Sequence, residues 1–348
     1  MTHLKNLMHQ KPLVGLSPMD GITDAAFRLL QIQIAKPDFM FTEFVSAEGI
    51  TRGGVKLYDQ FLYKESERPI VAQLFGKDPE SFYRAAVILC YLGFDGIDIN
   101  MGCPARTVTQ NGSGAALITK PSLAAELIRA VKSGVSDYFN SVTSIKDLKL
   151  NQKTMDIIAR NLRYSGAFRS KLPPSVSVKT RTGIEESMVV EWVSFLLKER
   201  LDFISIHGRT LKQGYSGQAD WNEIAKAVKL ADGSETKIIG NGDINSYSQG
   251  RNYCQKYGTA AALVGRGAMG NPWLFADKIP TPKERFDAAL LHAQIFLEIF
   301  PNRRFEPLRK NFLSYASGLP HAKNLRRHLV KINSVQELLA LEELFLAC

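Results

Sequence analysis

The sequence predicts an α/β chain, a (β/α)8 TIM barrel followed by a small C-terminal α-helical bundle. Eight short apolar, strand-like runs alternate with helix-like periodicity over residues 13–279. A polar residue stands at the end of nearly every run. After Pro280-Thr281-Pro282 the strand signals stop and only helical spacing remains. An open doubly wound sheet is the alternative architecture, and the eighth βα unit favours closure instead.

The elements follow in order. Leu13-Val14-Gly15-Leu16-Ser17 reads as the first strand, with a helix over 23–34 behind it. Residues 39–45 form the second strand and 70–75 the third, followed by a helix over 81–92. In Gly96-Ile97-Asp98-Ile99-Asn100 apolar and polar side chains alternate, as in a short buried strand. That run breaks at Gly102 and presents Cys103 just before Pro104. A helix over 122–132 follows, then a fifth strand at 176–180 and a helix over 188–200. The last three strands are expected at 203–207, 237–240 and 261–265.

One stretch breaks the rhythm. Connections between elements usually run about two to six residues, yet the helix over 122–132 and the fifth strand are separated by an insert at about 134–172. It is polar and basic (Lys146, Lys149, Lys153, Arg160, Arg163, Arg169, Lys171), and 155–162 has amphipathic helical spacing. Joining a helix to a strand, it belongs by topology at the amino-terminal face, away from catalysis. The barrel is thus expected over 1–279 and the bundle over 283–348. Helices over 287–300, 306–317, 321–330 and 335–345 are punctuated by Pro301, Pro307 and Pro320.

Composition narrows the function classes. Of 348 residues, 45% are hydrophobic and 22% charged, the balance of a soluble globular protein. The 4 cysteines are scattered without a CxxC or His/Cys cluster, which argues against a disulfide framework or a metal site. A reducing cytoplasm is the expected compartment. Neither a signal-peptide core nor an apolar run of membrane-spanning length is visible. The formal charge of +10 favours a polyanionic partner, and Arg303, Arg304, Arg309, Lys310, Lys323, Arg326, Arg327 and Lys331 crowd the bundle.

In parallel α/β barrels, sites are built at the carboxyl ends of the strands. Collected there are Ser17-Pro18-Met19-Asp20, Glu43, Gln73, Asn100 with Cys103, and Lys179-Thr180-Arg181. His207-Gly208-Arg209, Asn241-Gly242-Asp243 and Gly265-Arg266-Gly267 complete the ring. Each alone has a dull reading as a turn or satisfied core residue; all together are hard to assign to turns. The two glycine-rich turns close the barrel where such folds hold phosphate. Gly265 to Gly270 also matches GxGxxG, but as the last βα turn, so a Rossmann reading is weak. A phosphate there, with Lys179 and Gln73 near the centre, suits a flavin mononucleotide.

The strings SPMDGITDAAFR, TEFVSAEG, VAQLFG, GIDINMGCPA, VKTRTG, ISIHGRT, IIGNGDI and GRGAMGNPW resemble the tRNA-dihydrouridine synthase family, as does SYASGLPHAKNLR in the tail. The resemblance implies an FMN-dependent enzyme that uses NADPH to reduce C5=C6 of particular uridines in tRNA. It implies that Ser17, Pro18 and Met19 pack on the flavin and that Gln73, Lys179 and His207 hydrogen-bond it. Asn241, Gly242, Asp243, Gly265 and Arg266 hold its phosphate end. Cys103 protonates C5 after hydride reaches C6, while Asn100 and Arg181 hold the flipped uracil with help from Glu43. Arg303, Arg304, Lys323, Arg326 and Arg327 contact tRNA. The insert and the segment 106–114 depart from the family pattern. A reductase of free pyrimidines, or a tRNA-binding protein with vestigial chemistry, are the rival readings.

Overall fold

The computed structural model describes residues 3–166 and 172–348; Arg169 and Lys171 of the expected insert lie outside the described residues. Eight parallel strands close on themselves: β1 (Leu13–Leu16), β2 (Met40–Ser46), β3 (Ile70–Phe75), β4 (Gly96–Met101), β5 (Ser175–Arg181), β6 (Phe203–His207), β7 (Lys237–Asn241) and β8 (Ala261–Val264). β1 pairs with β8 through four registered residue pairs, so the sheet has no free edge and the open-sheet alternative is excluded. Local chemistry explains the helices between them. Pro79–Leu92, for instance, starts where Asp78 accepts from Ser81 N and ends at left-handed Gly93.

Strand alternation sorts the side chains. Ile97 and Ile99 are fully buried in the main apolar core, while their neighbours Asp98 and Asn100 turn into the barrel. At the amino-terminal end the barrel is filled by Leu13, Phe39, Phe41, Val71, Phe203, Ile239, Ala261 and Leu263. A helix at His3–Gln10, which the sequence reading did not assign, packs Leu4 and Met8 into this layer. Along β2 the pairing with β3 shifts between Phe41 and Phe44. Such a bulge re-aims the residues that follow it.

The tail is helical as expected. Helix Pro282–Ile299 opens with a Thr281/Glu284 capping box. Its apolar face shares one core with Ala25, Ala26, Leu30, Leu62 and Trp273 of the barrel. Gly270, at φ +65°, lets the chain pass so close to the tail that an added Cβ would lie 2.2 Å from the Ser314 backbone. Two expected helices are broken. The one over 306–317 begins as a 3-10 turn, Glu306–Leu308, with Pro307 in it, before Arg309–Tyr315. The one over 335–345 is interrupted at Ala340, whose N–H closes onto Gln336 O and Leu338 O.

The insert packs on the barrel's outer elements. It turns back along the barrel's flank, with Tyr83 OH donating to Asp137 Oδ2 (2.9 Å) and Arg84 to Leu148 O (2.7 Å). Its helix Gln152–Ser165 lies against the 3-10 segment Val55–Phe61, where Asn161 Nδ2 donates to Tyr58 O at 2.7 Å. Asp59 there pairs with Arg160 of the insert at 2.7 Å and with Arg303 of the tail at 2.8 Å. The insert is therefore a brace between barrel and tail.

Beneath that junction Arg28 is completely buried, and each of its three guanidinium nitrogens has an acceptor. Its Nε meets Glu67 Oε2 at 2.7 Å, Nη1 donates to Thr23 O at 2.7 Å, and Nη2 donates to Leu62 O. Burial pushes the Glu67 carboxyl up, and Arg28 opposes that shift. Removing one partner of a buried pair leaves an uncompensated charge. Arg28→Met is expected to cost about 3–5 kcal/mol in urea unfolding, and a loss below 1 kcal/mol would contradict this role.

Candidate active site

A cavity of about 1200 Å³ opens at the carboxyl ends of the strands. Of the residues expected to form a site, Ser17, Pro18, Met19, Gln73, Asn100, Cys103, Lys179, Arg181, His207, Asn241, Gly242, Asp243, Gly265 and Arg266 all line it. Closing the barrel brings these scattered strand ends together. Arg209, collected with the strand-end residues but given no role of its own, lines it as well, as do Tyr215, Phe44 and Trp221, which the expected site did not include.

The cysteine-bearing turn is held by a directed chain of hydrogen bonds. Asn100 Oδ1 accepts from Gly102 N (3.1 Å) and Cys103 N (2.9 Å). Its Nδ2 must then face Gln73, and it donates to Gln73 Oε1 at 2.9 Å. Gln73 Nε2 in turn donates to Asp98 Oδ2 at 2.7 Å, and Ser177 Oγ donates to Asp98 Oδ1 at 2.6 Å. Asp98 thus anchors the chain as the terminal acceptor. Burial raises it to about 6, with Ser177, Gln73 and Lys179 pulling the other way. The Cys103 thiol is raised from its ordinary value, chiefly by burial. At neutral pH it is protonated.

Cations dominate the cavity. Lys179, Arg181, Arg209 and Arg266 line it against two carboxylates, Asp20 and Asp243. Burial and then Arg181 bring Lys179 down to about 8. Burial and the same group of cations keep His207 neutral. Arg209 Nη1 lies 3.4 Å from His207 Nε2, so that ring nitrogen is the acceptor and the proton sits on Nδ1. Arg209 Nη2 also meets both Asp243 oxygens, at 2.9 and 2.8 Å.

The two glycine turns face this cavity with free donors. Among the described residues the backbone amides of Gly242, Asp243, Arg266 and Gly267 find no acceptor. Gly242 sits at φ +132° with its Cα close to Ala219, where a Cβ would fall 2.5 Å from the Ala219 methyl. The Arg266 guanidinium is half exposed, with Asp243 at 3.4 Å and the Tyr215 ring at 4.8 Å. Unpartnered amides beside a guanidinium make an anion cradle.

Some expected site residues stand elsewhere. Glu43 is buried behind the Met19–Gly21 turn, off the cavity wall, and accepts from Gly21 N. Arg303 is committed to Asp59 and lies over the Phe300 ring at 3.9 Å. Arg304, Lys323, Arg326 and Arg327 are exposed and form no ion pair among the described residues. Among those residues no group of His, Cys, Asp and Glu could hold a metal ion, and no helix is long and apolar enough to cross a membrane.

Fold and site together define a (β/α)8-barrel enzyme with a cationic, anion-accepting cavity at its carboxyl rim. The chain belongs to the dihydrouridine synthase (Dus) family, whose pattern it matches over residues 15–167 and 158–347. It is 33% identical over 345 residues to a probable tRNA-dihydrouridine synthase of Staphylococcus aureus, covering 96% of this chain and 93% of the relative. It is equally 33% identical over 341 residues to probable tRNA-dihydrouridine synthase 2 of Bacillus subtilis, covering 95% of this chain and 93% of the relative. Among solved structures, a 2-naphthoyl-CoA reductase complex superposes with a TM-score of 0.51 at 9% identity, over 76% of this chain and 49% of that one. That likeness concerns the barrel fold alone.

Glu43 yields a pH prediction. Burial, then the Asp24 charge, raises it from 4.5 to about 7. Between those values the folded protein holds a proton that the unfolded chain releases, so this group's contribution to stability falls as pH rises. Glu43→Gln removes the dependence. The stability of the variant relative to the parent, from urea titrations at pH 4.5 and 7.5, is expected to gain up to about 3 kcal/mol across the window. A flat difference would count against a buried, titrating carboxyl.

Proposed function

We propose that this protein is an FMN-dependent tRNA-dihydrouridine synthase that reduces the C5=C6 bond of specific uridines, with NADPH as the reductant. The observation that carries the reading is a thiol, Cys103, whose backbone is held by Asn100 at the wall of a cation-lined cavity. The cavity's donor set fits a flavin mononucleotide. Free amides at Gly242, Asp243, Arg266 and Gly267, with Gly265 and Asn241 beside them, suit the phosphate end. Ser17, Pro18 and Met19 supply a surface for the ring, and Lys179, Gln73 and His207 supply polar groups for its edge. When bound, the flavin supplies a hydride for C6 of the uracil.

The protein's own part is to orient the base and deliver a proton. C6 is the β carbon of an enone through C4=O, so hydride addition there leaves an enolate that needs a proton at C5. The Cys103 S–H donates it. The thiolate left behind is favoured by Arg181 and Lys179, both of which act to lower the thiol pKa. Asn100, oriented by Gln73, holds the cysteine turn against the base. Taking a uridine out of its stack costs a few kcal/mol, which contacts in the pocket recover.

The tail favours tRNA over a free pyrimidine. Arg304, Lys323, Arg326 and Arg327 present to solvent charge that is unpaired among the described residues. Lys310 Nζ reaches the cavity-side turn, within 2.4 Å of where a Cβ on Gly21 would stand. One RNA can therefore touch both tail and mouth.

Two experiments test the proposal. Cys103→Ala is expected to retain flavin absorbance and tRNA binding while losing dihydrouridine formation by about 10²–10⁴-fold; full activity would remove the acid role. The affinity for tRNA is expected to fall steeply with salt. Replacing Arg326 and Arg327 together should flatten the log–log slope by about 0.7–0.9 per lost phosphate contact, and an unchanged slope would place the footprint elsewhere.

A further inference from the structure

Arg181 stands at the end of β5, 3% exposed, and its donors are already engaged. Nε donates to Gly102 O at 2.8 Å, while Nη1 donates to Thr210 O at 3.0 Å and Gly214 O at 3.1 Å. Among the described residues only Nη2 remains uncommitted. The three acceptors belong to two different segments. Gly102 directly precedes Cys103, and Gly214 directly precedes Tyr215, which is 60% exposed and lines the cavity. A planar guanidinium fixes the directions of its N–H groups, so it fixes the separation of the carbonyls it bridges.

We infer that Arg181 is a positioning residue: a clasp that sets the gap between the Cys103 turn and the Tyr215 loop, and so the width of the slot that admits the base. The inference rests on the reading of Cys103 as proton donor. It commits Nε and Nη1 of Arg181 to the protein's own carbonyls, a role separate from any contact its Nη2 makes in the cavity. The loop is also tied to the 183–185 segment, through Leu211 N to Gly183 O and Lys212 N to Ile184 O, both at 2.9 Å. Arg266 lies 4.8 Å from the Tyr215 ring, but none of these contacts reaches the cysteine turn. Arg209 secures its far side, donating to Ser216 O at 3.2 Å and Gly217 O at 2.6 Å, but makes no bond to the cysteine turn. Arg181 alone among these arginines spans both segments.

The clasp also explains why charge by itself is insufficient at this position. A lysine would keep the positive charge near the thiol but, with one nitrogen, could not hold three carbonyls in a plane. Two segments that now move as one would then move separately. A misplacement of about 1 Å between reacting groups can cost 10²-fold in rate, while tRNA affinity, governed by the tail, is unaffected.

The test is Arg181→Lys in the full-length, flavin-loaded protein, read first without tRNA. Hydrogen exchange in the peptide covering 208–218 is expected to rise about tenfold, with a matching change in the rate at which iodoacetamide alkylates Cys103. Arg209→Lys should loosen 215–217 while leaving that alkylation rate at its parent value. In turnover, Arg181→Lys is expected to lower kcat with KM for tRNA held. Unchanged exchange and alkylation with a raised KM would overturn the clasp and assign Arg181 to the base. Full activity in Cys103→Ala would instead sink the proton-donor reading and leave the exchange result standing. Should Arg181→Lys fail to fold, Arg181→Gln, which keeps two N–H donors but no fork, reads the same coupling.

Discussion

The rim chemistry is referenced to one side chain, the Asn100 carboxamide. Because its oxygen takes the amides of Gly102 and Cys103, its nitrogen has a single permitted direction, toward Gln73. That choice propagates. Gln73 must turn its own nitrogen inward, and only a group that accepts, Asp98, can stand beneath it. Four side chains on three strands are thereby oriented without ambiguity, and the sulfur is presented from a backbone that cannot easily drift. A middle layer that many barrels fill with branched aliphatics is here polar, with Asp98, Gln73, Ser177 and Ser205 all fully buried. The polar layer is the foundation of the site.

Electrostatics complements that geometry. The cavity gathers more positive than negative charge, and its two glycine turns leave amides without acceptors, so its preference for an anion is built in before any ligand arrives. Burial, with that field behind it, keeps His207 neutral and eases Lys179 toward neutrality. The thiol, shielded by burial, stays protonated among these cations. Membership of the dihydrouridine synthase family agrees with a site that combines an anion cradle and a thiol held at its wall.

Most of the barrel was legible because its signals are local. Alternation in Gly96–Met101, polar residues at strand ends and the glycine turns all sit within a few positions of each other. What escaped depends on distant partners. Helix His3–Gln10 is short, and its burial comes from phenylalanines on β2 and β6 that no local pattern announces. Glu43 stands at a strand end like the others, yet the irregularity between Phe41 and Phe44 sends Phe44 to the cavity and leaves Glu43 behind the wall. Arg303 looks like one more basic residue of the tail until Asp59, 244 positions earlier, is seen beside it. Arg209 stands beside His207 in the same strand-end string, but its role follows from Asp243, 34 positions on. Tyr215 carries no signal in its own surroundings at all.

The filled amino-terminal end of the barrel has a consequence for traffic. Leu4, Met8 and the phenylalanine layer seal the base, so the chamber is a blind well with its doorway at the carboxyl rim. Among the described residues, whatever enters the chamber comes and goes at that rim. Two visitors that need the same threshold have to take turns, and the order of their visits is then a property of the architecture itself.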